Sequence, residues 1–229
     1  MTKRGRWPYR GSDGIRVLTV TRRNDALYRQ CESMEHRVFV ESGYVEENPA
    51  GRIGEFDRYR HQAFLAALTG ERARPPDEWR LSGTVRMIYA PHADRMGPGL
   101  FPTLDHAEEL RIVPEKLARI MAMNPRRFVD IATMCISKEK RDARASKALI
   151  TRIMTHVWEM PPLRYALAAS DTAFYGKLKA RDLFFEDLGP SVPYWGSPTT
   201  ATFIDSYRIP KGLLKLVIPC YVLRGLGRL

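Results

Sequence analysis

The stretch CISKEKRDARASKAL, residues 135–149, decides how the rest of this chain is read. An apolar strand ends at Ile136, a run of charges follows, and an amphipathic helix begins near Ala143. Lys138, Lys140, Arg141 and Arg144 thus gather at a strand-to-helix junction. Two readings stand. The junction is a solvated loop, or it is a phosphate seat, because a helix N-terminus offers unpaired N–H groups and a positive dipole end to an anion.

Working outward, FVDIATMCI (128–136) is the strand that feeds the junction and the helix runs over 143–159. A strand RYALAAS (164–170), a short helix from about Thr172 to Ala180, the segment LFFEDLG (183–189) and a last strand TATFIDSYRI (200–209) follow. On the other side, IRVLTVT (15–21) is rich in β-branched residues and predicts a strand. Asn24 or Asp25 caps a helix running to about Ser42, with Leu27, Cys31, Met34 and Val38 at helical spacing. HQAFLAALT (61–69) and WRLSGTVRMIYA (79–90) predict a hairpin across GERARPPDE, and helical pieces fall between Asp105 and Met123. This alternation predicts a single α/β domain over 15–229, a mixed central sheet with helices on both faces, behind a mobile basic arm at 1–14.

The chain has 229 residues, 44% of them hydrophobic, which is enough for a substantial core. Its formal net charge of +11 points to a polyanionic partner: nucleic acid, an acidic protein, a phosphorylated cosubstrate or an anionic membrane. Against nucleic acid, no helix-turn-helix, zinc or RNA-recognition motif is present and the positive charge is interspersed with acids. Cys31, Cys135 and Cys220 are far apart and odd in number, without metal-ligand spacing; this predicts reduced thiols in a cytoplasmic protein and no metal. No secretory leader is expected from MTKRGRWPYRGSDG. LLKLVIPCYVL (213–223) is too short to span a bilayer; a terminal element closing the core is favoured over peripheral membrane contact.

Strand, charged turn, helix, strand, then a short tyrosine-bearing helix and a final strand: this order resembles the N-acetyltransferase-like superfamily. There the backbone N–H groups of an Arg-x-x-Gly-x-Gly/Ala turn hold a CoA pyrophosphate. The corresponding turn here is Arg141-Asp-Ala-Arg144-Ala145-Ser146, with arginine where glycine is usual. HRVFVESGYVEENPAGRIGEFDRY resembles the segment of acyl-homoserine lactone synthases and long-chain N-acyl amino acid synthases, with Arg37, Phe39, Gly43-Tyr44, Glu55, Asp57 and Tyr59 in order. Arg86 in SGTVRMIYAP and Phe101-Pro102 in LFPTL continue the resemblance, which covers about residues 25–206. Arg60 replaces the last acid of the cluster, and the strand reads Asp130-Ile-Ala-Thr133 where lactone synthases have Glu-x-Ser-Arg.

The resemblance implies an N-acyltransferase moving a fatty acyl group from a carrier-protein thioester to the amine of an amino acid or related molecule. Lactone synthesis and CoA-dependent N-acetylation are the alternatives. Amine attack on a thioester needs a base and oxyanion stabilisation. Asp130, in an apolar strand, is the candidate base; its structural alternative is a pair with Arg126 or Arg127. Glu55 is the second catalytic candidate and Asp57 a binder of the acceptor, or both are solvated surface pairs. Arg86 is an exposed sheet arginine or, if covered, needs Glu55, Asp57 or a substrate carboxylate as partner; Arg37 has the same two readings. Phe39, Tyr44 and Phe101 line a pocket or are plain core, and Thr133 joins the substrate residues. Tyr175 stands where the superfamily places a tyrosine near the departing sulfur, or simply packs its helix. Ile136, Lys140, Arg141, Arg144, Ala145 and Ser146 would hold an acyl-phosphopantetheine thioester as cosubstrate, with no permanently bound cofactor. Lys138, Lys147 and Arg152 extend that patch into a dock for an acidic acyl carrier protein. His61 and His156 stay unassigned.

Overall fold

The computed structural model describes residues 14–70, 78–137, 143–160, 162–179 and 185–206. Its centre is a meander of four strands, β1 (Ile15–Thr21), β2 (Gln62–Thr69), β3 (Arg80–Tyr89) and β4 (Phe128–Ile136), each antiparallel to the next. β2 and β3 are buried on both faces, which is why their sequence is a nearly unbroken apolar run and not an alternating one. Helix α1 (Asp25–Glu41) covers one face: Tyr28 and Cys31 share a core cluster with Phe64 and Ala66. The opposite residues of the same strands, Leu65, Ala67, Val85 and Met87, pack with Ala145, Leu149, Ile153 and Val157 of helix α4 (Ala143–Glu159). Those four recur every fourth residue and form one stripe.

The chain between β3 and β4 forms two short helices, α2 (Pro102–Asp105) and α3 (Pro114–Met121). After α4, strand β5 (Tyr165–Asp171) runs parallel to β4, as a crossover through a helix requires, and leads directly into α5 (Thr172–Lys179). The sheet continues with β6 (Glu186–Asp187), β7 (Val192–Tyr194) and β8 (Ser197–Asp205) in the order β1-β2-β3-β4-β5-β8-β6, with β7 also on β8. This is the expected mixed sheet with helices on both faces. Three details differ from expectation. LFFEDLG keeps only two strand residues, β7 was not foreseen, and β8 begins at Ser197 because a tight turn at Trp195-Gly196 pairs it back on β7. The arm before Gly14, the hairpin tip and the 213–223 segment lie outside the described residues. No helix among the described residues is long and apolar enough to cross a membrane.

Candidate active site

Two irregularities of β4 build the site. Arg86 pairs with Thr133 but Met87 pairs with Ile131, so Ala132 is an extra residue without a partner on β3. A bulge of this kind reverses the inside-outside alternation of everything after it. Asp130 and Thr133, three residues apart, therefore both face the α1 side: Asp130 accepts from Thr103, and Thr133 Oγ1 donates to Glu35 of α1. The second irregularity is that the pairing of β4 with β5 stops at Ile131 and Ala168. β4 goes on along β3 to Ile136, and β5 goes on along β8 to Asp171. A gap opens between them, and a cavity of about 380 Å³ fills it, reaching both faces of the sheet. On the α4 face it is apolar, with Ile150, Ile153, Met154, Leu178 and Phe185 on the wall; on the α1 face it is aromatic and polar, with Phe39, Tyr44, Glu55, Thr103, Tyr194 and Trp195.

The aromatic wall follows from two local motifs. Helix α1 ends in a Schellman motif, Gly43 taking φ 73° and donating to Val40 O while Tyr44 N–H donates to Phe39 O at 2.9 Å. That closure brings the Tyr44 ring edge-on to Phe39 at 5.5 Å, which explains the Gly43-Tyr44 pair. Trp195 and Gly196 both take positive φ, the two-residue turn that joins β7 and β8. A side chain in that region costs about 1–2 kcal/mol, so Trp195 is held there by what it packs against. Its ring lies edge-on to Phe39 at 5.5 Å and stacks on Tyr194 at 5.6 Å.

Among the acids, Glu55 is half-buried on the cavity wall and lies 2.6 Å from His106 Nε2. His106 Nδ1 is 3.3 Å from Glu109, and the ring packs on Tyr194 at 5.6 Å. Asp130 is fully buried one layer behind the wall, where its carboxylate accepts from Thr103 N–H at 2.9 Å and Thr103 Oγ1 at 3.0 Å. Burial pushes its pKa up to about 7, against the lowering by the two Thr103 hydrogen bonds. Thr103, not Asp130, meets the cavity. Neither arginine suggested as its partner touches it: Arg126 hydrogen-bonds Ala93 O and pairs with Asp94, and Arg127 lies over the Tyr165 ring.

Arg86 is buried, as a functional reading required, but its partner is one the sequence reading did not name. Its guanidinium is gripped by Glu35 at 3.0 Å and 2.5 Å, touches Gln62, and sits between the Phe56 and Phe64 rings at 4.7 and 4.4 Å. It is consumed inside the protein and does not reach the cavity wall. Glu35 had a legible signal: it lies four residues after Cys31 on the buried stripe of α1.

Other expected site residues separate in the same way. Phe39, Tyr44, Glu55, Thr133, Ile136 and Ser146 converge on the cavity. Phe101 does not; it is core, packed with Phe128 at 6.1 Å. Tyr175 is buried with its hydroxyl donated to Asp187, burial with that carboxylate pushes its pKa up to about 12, and it does not line the cavity. Asp57 is on the surface, paired with Arg52 at 2.7 Å, and Arg37 is exposed on α1. Ala145 is buried against the sheet and Arg144 is exposed; Lys138, Lys140 and Arg141 lie outside the described residues. His61 packs on His92, and His156 meets the Tyr89 hydroxyl at 2.7 Å. No cluster of metal-ligating side chains occurs among the described residues. The sequence reading missed His106 and Thr103, which sit in the irregular segment before β4 where no periodicity marks a side chain's direction.

No family model and no curated protein sequence matches this chain. Solved structures do match it. BjaI, a CoA-dependent acyl-homoserine lactone synthase solved with SAM and isopentyl-CoA, is 18% identical over 89% of this chain and 88% of its own, with a TM-score of 0.60. The acyl-homoserine lactone synthase LasI is 15% identical over 89% of this chain and 95% of its own, at 0.61. FeeM, an N-acyl amino acid synthase from uncultured soil microbes, is 15% identical over 85% of this chain and 93% of its own, at 0.54. The chain has the N-acetyltransferase-like fold in the form shared by acyl-homoserine lactone synthases and N-acyl amino acid synthases.

Proposed function

We propose that this protein is an N-acyltransferase that moves an acyl group from a phosphopantetheine thioester to the amine of a small molecule. The observation that carries the reading is the cavity through the β4–β5 gap, apolar on one face of the sheet and polar on the other. Beyond Ile131 and Ala168 the facing edges of the two strands have no ladder partner among the described residues. An extended arm with two amides, such as pantetheine, can take the place of the missing pairing. The acyl chain then lies against Ile150, Ile153, Met154 and Phe185, and the thioester carbonyl lies in the gap, where strand N–H groups stabilise the developing oxyanion.

The amine comes from the α1 face as an ammonium ion and is held by Glu55, which His106 orients. Thr103 Oγ1 donates to Asp130 and has lone pairs left to accept from the ammonium. The proton passes from the amine to the Thr103 oxygen as the Thr103 proton passes to Asp130, whose pKa near 7 suits that task. The free amine attacks the carbonyl carbon, the C–S bond breaks, and the surplus proton on the nitrogen passes to the departing sulfur, so that the amide forms and pantetheine leaves as the thiol. Ser146, in the first turn of α4 and on the cavity wall, supports a seat for the phosphate at that mouth, and the exposed Arg144 and Lys147 support a dock for an acidic acyl carrier protein beside it. The buried free thiols Cys31 and Cys135 agree with a cytoplasmic setting.

The test incubates the purified chain with acyl carrier protein thioesters of several chain lengths, with the matching CoA thioesters, and with a panel of amines. Thiol release that depends on an added amine, with the amide found by mass spectrometry, is the expected result. Thioesters that stay intact with every amine, or are only hydrolysed, overturn the reading.

A further inference from the structure

The acceptor itself has left a mark on the cavity wall, in what is missing from it. Among the described residues the charged side chains that line the cavity are two carboxylates, Glu55 and Asp171. Arg58 reaches Glu55 at 3.8 Å and Asp105 at 3.4 Å from outside, off the wall. A free amino acid needs a receiver for its carboxylate as well as one for its amine. Among the described residues near the acceptor face, the guanidinium and the helix and turn N–H groups that would serve already hold carboxylates of the protein. Arg86 is closed by Glu35 at 2.5 Å and has Glu32 at 3.9 Å. The Thr103 N–H is given to Asp130 at 2.9 Å. The first N–H groups of α5 are given to Asp171, at 2.9 Å from Ala173 and 3.1 Å from Phe174. What remains on the wall among the described residues is neutral: hydroxyls such as Ser170, Ser197 and Thr199, the Trp195 indole and the strand edges. A substrate carboxylate there would be desolvated beside two fixed negative charges.

A cation meets the opposite conditions. Glu55 supplies a carboxylate, and Phe39, Tyr44, Tyr194 and Trp195 supply ring faces and edges around it. Aromatic walls with one acid favour an ammonium ion over a zwitterion. Resting on the acyl-transfer reading above, we infer that the acceptor is a cationic primary amine without a free carboxylate: an alkyl or aryl amine, or an amino acid masked as its ester or amide.

Binding tests this without turnover. The full chain is titrated calorimetrically, with and without a non-transferable acyl-pantetheine thioether. The probes are phenethylamine and isopentylamine, their parent acids phenylalanine and leucine, phenylalanine methyl ester and S-adenosylmethionine. Each amine should bind at least about tenfold more tightly than its parent acid, the size of one charge-assisted contact. The methyl ester should side with the amines, which shows that charge and not bulk is refused. Glu55→Gln should weaken the amines about tenfold and leave the thioether unchanged. Parent acids or S-adenosylmethionine binding as tightly as the amines, an ester that behaves like the acid, or no binding of any amine to the thioether-loaded protein overturns the inference. If the thioether itself binds, such a result leaves the acyl-transfer reading standing; a thioether that does not bind removes that reading instead.

Discussion

At the scale of single residues, Asp130 has the clearest pH signature. Its folded pKa is about 7 against an ordinary 3.8. Between those values the folded chain keeps a proton that the unfolded chain has lost, so stability should fall as pH rises from about 4 to 7. Urea midpoints of wild type should show that decline, and Asp130→Asn should flatten it. If Asp130 receives the amine proton, activity should rise with pH through the same region, and Asp130→Asn should lower turnover roughly 10²–10⁴-fold and abolish the limb. A variant with full turnover at neutral pH would return Asp130 to a purely structural role beneath Thr103. Arg86 makes a different expectation. Replacing it with Met strands the buried Glu35 carboxylate and should cost about 3–5 kcal/mol in urea unfolding. The double replacement Arg86→Met with Glu35→Met should recover most of that loss, since Gln62 and Thr133 are neutral and the remaining acid, Glu32, is a more distant partner of Arg86 at 3.9 Å and less deeply buried than Glu35. Equal losses in single and double variants would mean that the pair is not what stabilises this layer.

At the scale of elements, α4 and β4 divide what was legible from what was not. The stripe Ala145, Leu149, Ile153, Val157 is written in the sequence at helical spacing, and the helix is where that stripe puts it. Leu149 is fully buried on it, so Leu149→Ala should cost about 2–5 kcal/mol, measured by denaturant unfolding. β4 is legible as a strand, yet its bulge is not. FVDIATMCI has the same apolar texture with or without an extra residue at Ala132, because both faces are covered and alternation carries no signal. Strict alternation would have put Asp130 and Thr133 on opposite faces, whereas the bulge puts them on one. Deleting Ala132 should leave a regular ladder with Asp130 and Thr133 still on the α1 face, and should lower activity by straightening β4 where the gap opens while the far-UV circular dichroism is largely kept. The partner of Arg86 was hidden for a related reason. Glu35 lies fifty-one residues away, and only the packing of α1 on β3 brings the two together.

At the scale of the whole molecule, the +11 charge is a statement about partners more than about fold. Arg144 and Lys147 are exposed on the first turns of α4, at the mouth assigned to the thioester. Reversing both to Glu should raise KM for an acyl carrier protein thioester far more than for a short acyl-pantetheine, and added salt should imitate the change in wild type. Equal effects on both donors would place carrier-protein recognition elsewhere.

The gap between β4 and β5 also divides the sheet mechanically. β1 and β2, like β5 and β8, are joined along seven residue pairs, but the two halves of the sheet meet over four. One end of that seam is riveted by packed rings, Phe128 tilted against Tyr165 at 5.0 Å and Tyr165 stacked on Phe203 at 5.4 Å, while the other end is open. Two plates fixed along a short seam flex about it, and amides beside the open end should exchange with solvent sooner than those at the riveted end. A thioester arm lying between the plates would act as a zip. Its arrival should slow exchange at residues 132–136 and 169–171 together, on stretches that do not pair with one another, and make the plates move as one.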